Sequence, residues 1–417
     1  MNEKTAVFLD RGGTINKELK NMVISKKVKI INPSPTLSIT AKANKMKAEG
    51  INIIGFGAGE PDFDTPENIK EAAKKAIDKG FTKYTPTSGI KELKDAICAK
   101  LKKDNDLDYT NDEILVSCGA KHSIFNAIIT LCEEGDEVLL PSPYWVSYPE
   151  MINFTGAKTV ILDTQDKSNF KITPKQLKEA INKNTKLLIL NSPSNPTGMV
   201  YSKKELEELG KIIIDAGIYC ISDEIYEKII YDETFVSIAA LDNELKKKTL
   251  VVNGVSKAYS MTGWRIGYLA GDKEIVKAMS NLQDHSTSNP TSISQSASVE
   301  ALTGDQSALK IMVDEFRKRR DFMVNKVNSI RGLSAIKPQG AFYSWINVSS
   351  IMNKRINGKK IENSLDLTDA LLQYVHVAVV PGGVFGNDNY MRLSYAASME
   401  NITEGLSRIE KFAEILE

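Results

Sequence analysis

An α/β protein is what this sequence predicts: a three-layer, mostly parallel sheet with helices on both faces, joined to a smaller α+β unit. Six short apolar runs, at 113–117, 136–141, 158–163, 185–191, 218–223 and 249–254, recur with helical stretches between them. That alternation is expected of buried parallel strands. After a long helical stretch at 305–331 the pattern changes to a second set, GAFYSWINV, VAVVPGG and YMRLSYA, closed by a helix at 399–416. A length of 417 residues with 42% hydrophobic content leaves room for two or three domains with substantial cores.

Along the chain, AKANKMKAE (41–49) reads as a polar helix stopped by Gly50, and INIIGFGAGEPDFDTP breaks into glycine and proline turns. Helical spacing returns at 66–79, with Pro66 in the first turn and Thr65 as the expected cap, and again at 89–103. The segment EILVSCGAKHSIF then reads as a strand, a tight turn at Gly119 and the start of a helix. The expected division is an extension at 1–20, an arm and part of the smaller unit at 21–64, a large domain at 65–310 and a small domain at 311–417. Neither an internal repeat nor a low-complexity linker interrupts it.

Charge narrows the classes of function. With 54 Lys and Arg against 53 Asp and Glu, the formal charge is +1, which argues against a broad basic face for nucleic acid. Cysteines 98, 118, 132 and 220 have neither CxxC spacing nor the density of a disulfide framework, so a reducing cytoplasm is expected. His122, His285 and His376 lack the context of a zinc site, and no metal is expected. No run approaches the ~20 apolar residues of a membrane span, and the opening MNEKTAVFLDRGG has no apolar core before a cleavage site. Small-molecule chemistry by a soluble protein is the expectation.

Ligands of open α/β sheets sit beyond the carboxyl ends of the strands, which directs attention to the polar residues there. Asp223 ends IYCISD, with Glu224 and Tyr226 close behind. A carboxylate in that position caps a helix, meets water or takes part in chemistry. Asn195, in NSPSNPTG, is either a turn former beside Pro196 or a ligand. Lys257 follows TLVVNG, with Arg265 eight residues later; it is a solvated surface charge or, in a desolvated cleft, an amine able to form a Schiff base.

Seven blocks carry a resemblance: GAGEPDFDTP, TKYTPTSG, SPYWVSYPE, NSPSNPTG, SDEIYE, SKAYSMTGWRIGY and MRLSYA. In this order they resemble the signature of the fold-type I pyridoxal-phosphate-dependent aminotransferases, specifically the bacterial aspartate aminotransferase subgroup, over about residues 22–417. The resemblance implies that Lys257 holds the cofactor aldehyde and later moves the substrate proton, and that Asp223 faces the pyridine nitrogen. By the same resemblance Asn195 and Tyr226 bond the phenolic oxygen, Trp145 stacks on the ring, and Arg265 and the N–H groups of the Gly119–Ala120–Lys121 turn grip the phosphate. Without it, that turn is an ordinary strand-to-helix connection and Trp145 a partly buried core indole. Tyr84, in TKYTP, resembles the tyrosine that reaches the neighbouring subunit's phosphate, which implies a homodimer.

For the substrate, the resemblance implies that Arg392 clamps the α-carboxylate, with the backbone N–H of Gly59 beside it, and that Trp145 and Asn195 also contact the substrate. Lys121 matches the lysine that contacts the distal carboxylate of aspartate, or else it merely solvates a helix end. The implied reaction is ping-pong amino transfer between L-aspartate and 2-oxoglutarate. Alternatives on the same scaffold are transfer from aromatic amino acids, prephenate or alanine, and β-elimination. A cofactor-binding regulator is the alternative from another class, and it needs a DNA-binding module of about 60 to 70 residues for which the extension is too short.

Two departures stand out. Gly254 occupies the position where some members carry a phosphate-binding hydroxyl, and Ser256 is the nearest substitute. The opening KTAVFLDRGGTINKE resembles the first motif of haloacid-dehalogenase-type phosphatases, with Asp10 at the nucleophile position but Gly12 in place of the general acid. No phosphatase activity is expected, and loss of residues 1–18 should leave turnover intact.

Overall fold

A computed structural model describes residues 24–31 and 35–417 of the chain. The phosphatase-like opening, with Asp10 and Gly12, lies outside the described residues. Strand β1 (Ile54–Gly55) comes first and is followed by β2 (Ile114–Ser117), β3 (Glu137–Ser142), β4 (Lys158–Asp163), β5 (Thr185–Asn191), β6 (Tyr219–Asp223), β7 (Thr249–Gly254) and β8 (Gly267–Ala270). Strands β2 to β8 form one seven-stranded sheet in the order β2-β8-β7-β6-β5-β3-β4. The pairs β3/β4, β3/β5, β5/β6 and β6/β7 are parallel, and β8 runs against both its neighbours. All six apolar runs are strands of this sheet, and β8 is the one member the sequence pattern did not predict.

Alternation along the strands explains the layers. Leu115, Leu187 and Ile189 pack with the helices Ala120–Leu131, Ser147–Thr155 and Lys273–Asp284 on one face. Their neighbours point the other way: Ile114 and Val116 meet the helices Glu67–Asp78, Lys91–Asn105 and Ser292–Thr303, while Leu188 and Leu190 meet Lys203–Ala216. Because both faces are covered, each strand is apolar at successive positions. The predicted cap of the Glu67–Asp78 helix needs correction. Pro66 is the N-cap, and Thr65 instead donates to the Ser260 carbonyl (2.7 Å) and accepts from Trp264 Nε1 (2.9 Å). The polar helix is also longer than predicted, running from Pro35 to Ala48.

The second set of runs builds the remaining strands: β9 (Ser334–Ala335), β10 (Tyr343–Asn347), the short hairpin β11 (Arg355–Ile356) and β12 (Lys359–Lys360), then β13 (Val377–Ala378), β14 (Val380–Pro381) and β15 (Tyr390–Ser394). An antiparallel sheet in the order β14-β15-β10-β9 packs against the helices Ser307–Ser329 and Met399–Glu414. β1 pairs in parallel with β13, so the segment leading to GAGEPDF is anchored to the C-terminal part of the chain. No helix among the described residues is long and apolar enough to cross a membrane.

Candidate active site

At the carboxyl edge of the seven-stranded sheet lies a cavity of about 780 Å³. Gly59, Ala120, Lys121, Trp145, Asn195, Asp223, Tyr226, Ser256, Lys257, Arg265 and Arg392 all line it. The topology accounts for the convergence. Ala120 and Lys121 follow β2, Trp145 follows β3, Asn195 follows β5, Asp223 ends β6, Ser256 and Lys257 follow β7, and Arg265 precedes the reversed β8. Arg392 comes from the middle of β15 in the other sheet, so two separate layers face one space.

Asp223 is buried, and desolvation raises its pKa to about 6, against the opposing effects of a Tyr148 hydrogen bond, the Ile225 N–H and the charge of Lys257. Asn191 fixes the strand end beneath it, donating from Nδ2 to the Asp223 carbonyl (3.0 Å) and accepting the Asn195 N–H (2.8 Å). The Lys257 amine donates to the Gly59 carbonyl. Desolvation lowers its pKa to about 8, with Glu60 opposing the change and Arg392 and Arg265 adding to it.

One end of the cavity has the form of an anion cradle. Gly119 has φ +90° and begins the helix Ala120–Leu131, whose first-turn N–H groups have no acceptor within the helix. A Cβ on Gly119 would lie 2.4 Å from an Arg265 nitrogen, and one on Gly267 would lie 2.0 Å from the Ala120 nitrogen. Both glycines therefore let backbone and guanidinium close around the same point. Arg265 is itself held by donating to the carbonyls of Thr262 (2.8 Å) and Cys118 (3.3 Å). Gly254 fits a similar constraint, since a Cβ there would come within 2.9 Å of Gly267 Cα. Ser256 is buried and lines the cavity nearby.

At the opposite end, Arg392 donates to Asn195 Oδ1 (3.0 Å) and to the Gly57 carbonyl (2.9 Å) and lies over the rings of Tyr343 and Phe385. Its Nε is buried without a partner. Tyr226 and Tyr343 share a 2.8 Å hydroxyl contact. Lys121 sits 4.9 Å above the Trp145 ring, its pKa lowered by desolvation and by Arg265. Tyr84 is 92% exposed and does not line the cavity. Sequence reasoning missed Tyr148, Tyr343 and Asn191. Tyr148 and Asn191 stand within the blocks SPYWVSYPE and NSPSNPTG, and Tyr343 in the run GAFYSWINV, but no local spacing ties them to their partners.

Residues 51–409 match the family described as aminotransferase class I and II. Among curated relatives, an aspartate aminotransferase from Bacillus sp. (strain YM-2) is 48% identical over 94% of this chain and 99% of its own. An aspartate/prephenate aminotransferase from Nitrosomonas europaea is 48% identical over 93% and 99%. Among solved structures, an aspartate aminotransferase from Rhizobium meliloti superposes with a TM-score of 0.92 at 44% identity, covering 95% of this chain and 100% of that one. The Thermus thermophilus aspartate aminotransferase with maleate gives 0.88 at 39% identity, over 94% and 99%.

Proposed function

The chain belongs to the class I and II aminotransferases, and from that membership we propose amino transfer between L-aspartate and 2-oxoglutarate, giving oxaloacetate and L-glutamate, with pyridoxal 5′-phosphate as cofactor. The observation that carries this reading is a buried carboxylate, a desolvated amine and a buried guanidinium on one cavity, contributed by Asp223, Lys257 and Arg392. The residues present fit the cofactor. A glycine-walled cradle beside Arg265 suits a phosphate, and an anionic carboxylate suits a protonated ring nitrogen. An amine already lowered to about 8 suits covalent attachment to an aldehyde.

In this reading Lys257 would tether the group, Asp223 would pair with its ring nitrogen, Asn195 and Tyr226 would hydrogen-bond its phenolic oxygen and Trp145 would pack against its ring. Gly119, Ala120, Lys121, Ser256 and Arg265 would hold the phosphate, and Tyr84 would be supplied by a second copy of the chain. Bound pyridoxal phosphate supplies the electron sink for the pair released at the substrate Cα. Arg392, whose Nε has no partner, would fix the α-carboxylate through a bidentate contact, and the Gly59 N–H would approach the same group. The Lys257 amine would take the proton from the substrate Cα. Exclusion of water falls to the two sheets, because Arg392 and Asp223 belong to different ones.

Dicarboxylate preference rests on Lys121, a cation at the cavity wall distinct from Arg392, and is in keeping with the maleate in the Thermus relative's structure. The four cysteines are free, which suits a cytoplasmic enzyme. The test is spectral: the purified yellow protein is mixed in turn with L-aspartate, phenylalanine, alanine and, in the reverse half-reaction, prephenate. Aspartate is expected to convert the cofactor to its amine form fastest. Preference for prephenate or phenylalanine overturns the substrate assignment, and borohydride labelling at any residue other than Lys257 overturns the cofactor assignment.

A further inference from the structure

Asp223 meets few groups able to hold it as an anion. Its Oδ1 accepts a long 3.3 Å bond from the Ile225 N–H, whereas Oδ2 accepts a 2.6 Å bond from the Tyr148 hydroxyl. Tyr148 lies 75 residues earlier, in the first turn of the helix Ser147–Thr155, and the residue is 1% exposed. Trp145 holds that ring edge-on at 5.2 Å and 83°, and it packs in the same core as Leu140, Ile189, Ile221 and Val252. A phenol so confined has little freedom to choose another acceptor.

Most buried tyrosine hydroxyls find a partner, and a purely structural role would require no more than that. The acceptor here is the carboxylate that lines the cavity on the same edge as Lys257, and Tyr148 lines that cavity as well. A donor on Oδ2 stabilises the ionised form of Asp223 against burial, which works in the other direction. Hydrogen bonds to a charged partner are also the strong ones.

Resting on the pyridoxal-phosphate reading above, we propose that Tyr148 is a positioning residue that keeps Asp223 ionised and aimed, so that a proton shared between this carboxylate and the cofactor ring nitrogen stays on nitrogen. No bond between heavy atoms changes. Without the phenolic donor the carboxylate becomes the stronger base, and the same proton moves from nitrogen to oxygen.

The holoenzyme is reconstituted with cofactor isotope-labelled at its ring nitrogen, as wild type and as Tyr148→Phe. Nitrogen NMR of the wild type is expected to report a protonated ring, and the variant a shift toward the neutral one. Cofactor affinity and the rate of the half-reaction with aspartate should fall about tenfold to hundredfold, the span of one hydrogen bond to a charged group. The aspartate concentration giving half-maximal rate should stay put. In an Asp223→Asn background Tyr148→Phe should add little further loss of affinity, whereas a packing role would add the same loss in both backgrounds. Should Tyr148→Phe not fold, 3-fluorotyrosine at position 148 keeps the ring and sharpens the donor, and tighter cofactor binding is expected. An unchanged nitrogen shift in Tyr148→Phe, an equal loss in the Asn background, or unchanged affinity with fluorotyrosine overturns the proposal. A wild type that binds no cofactor overturns the underlying reading instead.

Discussion

Lys257 and Asp223 are poised in opposite senses by the same cause. Burial disfavours charge on both, lowering the lysine to about 8 and raising the aspartate to about 6, so each lies closer to neutrality than it would in water. Reductive trapping of an aldehyde by the cofactor-free protein should therefore rise with pH around a midpoint near 8 at Lys257, read by peptide mapping; a midpoint near that of a solvated lysine removes the desolvation argument. Lys121 is a test of another kind. If it meets the distal carboxylate, Lys121→Ala should lower kcat/KM for aspartate by about tenfold to hundredfold and leave phenylalanine nearly unaffected. Equal losses for both substrates defeat the dicarboxylate argument. At this scale the sequence was legible where a residue type stands in a distinctive block, at or just past a strand end for Asp223 and Lys257 and within a strand for Arg392. It was not legible for Tyr148 or Tyr343, whose partners lie 75 and 117 residues away and are chosen by tertiary packing.

Elements position these residues through close backbone approaches. β8 runs against its neighbours, which brings its first residue, Gly267, against the start of the helix Ala120–Leu131. With a Cβ only 2.0 Å from the Ala120 nitrogen, Gly267→Ala must push the helix end away from the cradle. Cofactor affinity should drop at least about tenfold, measured by titration of the cofactor-free protein, because backbone donors aimed at an anion lose strength steeply with distance and angle. Retention of wild-type affinity removes the cradle from that turn. Short apolar runs recurring with helical stretches made β2 to β7 readable in advance. β8 was harder: no longer than β2, it begins with glycine and owes its direction to pairing with β2 and β7. The misread cap follows the same logic, since Thr65 has the right chemistry for capping but is claimed by Ser260 and Trp264.

Across the whole molecule, the two-sheet plan followed from the change of apolar pattern after residue 305, but the pairing of β1 with β13 did not, because two residues carry too little pattern to predict a partner. Stability as a whole has its own pH signature, seated directly behind the cavity. Glu224 follows Asp223 and is 1% exposed; its Oε1 accepts from Ser222 (2.9 Å) and Ser237 (2.6 Å), while Oε2 has no partner. Desolvation, with Glu227 beside it, raises its pKa from 4.5 to about 8, the two serine hydrogen bonds and Lys100 opposing. Lys100, the nearby cation, is already paired with Glu227, which also accepts from Asn105, so little counter-charge is left for Glu224. Between about 4.5 and about 8 the folded chain holds a proton at Glu224 that the unfolded chain has released, and stability from this group falls as pH rises through that window. Glu224→Gln keeps an acceptor for both serines and cannot ionise. Its melting temperature relative to wild type should therefore climb between pH 5 and pH 8, by a few degrees for a chain of this size. Because every other carboxylate is common to both proteins, the difference isolates Glu224, and a difference that stays flat or falls with pH would mean that this buried acid is ionised throughout.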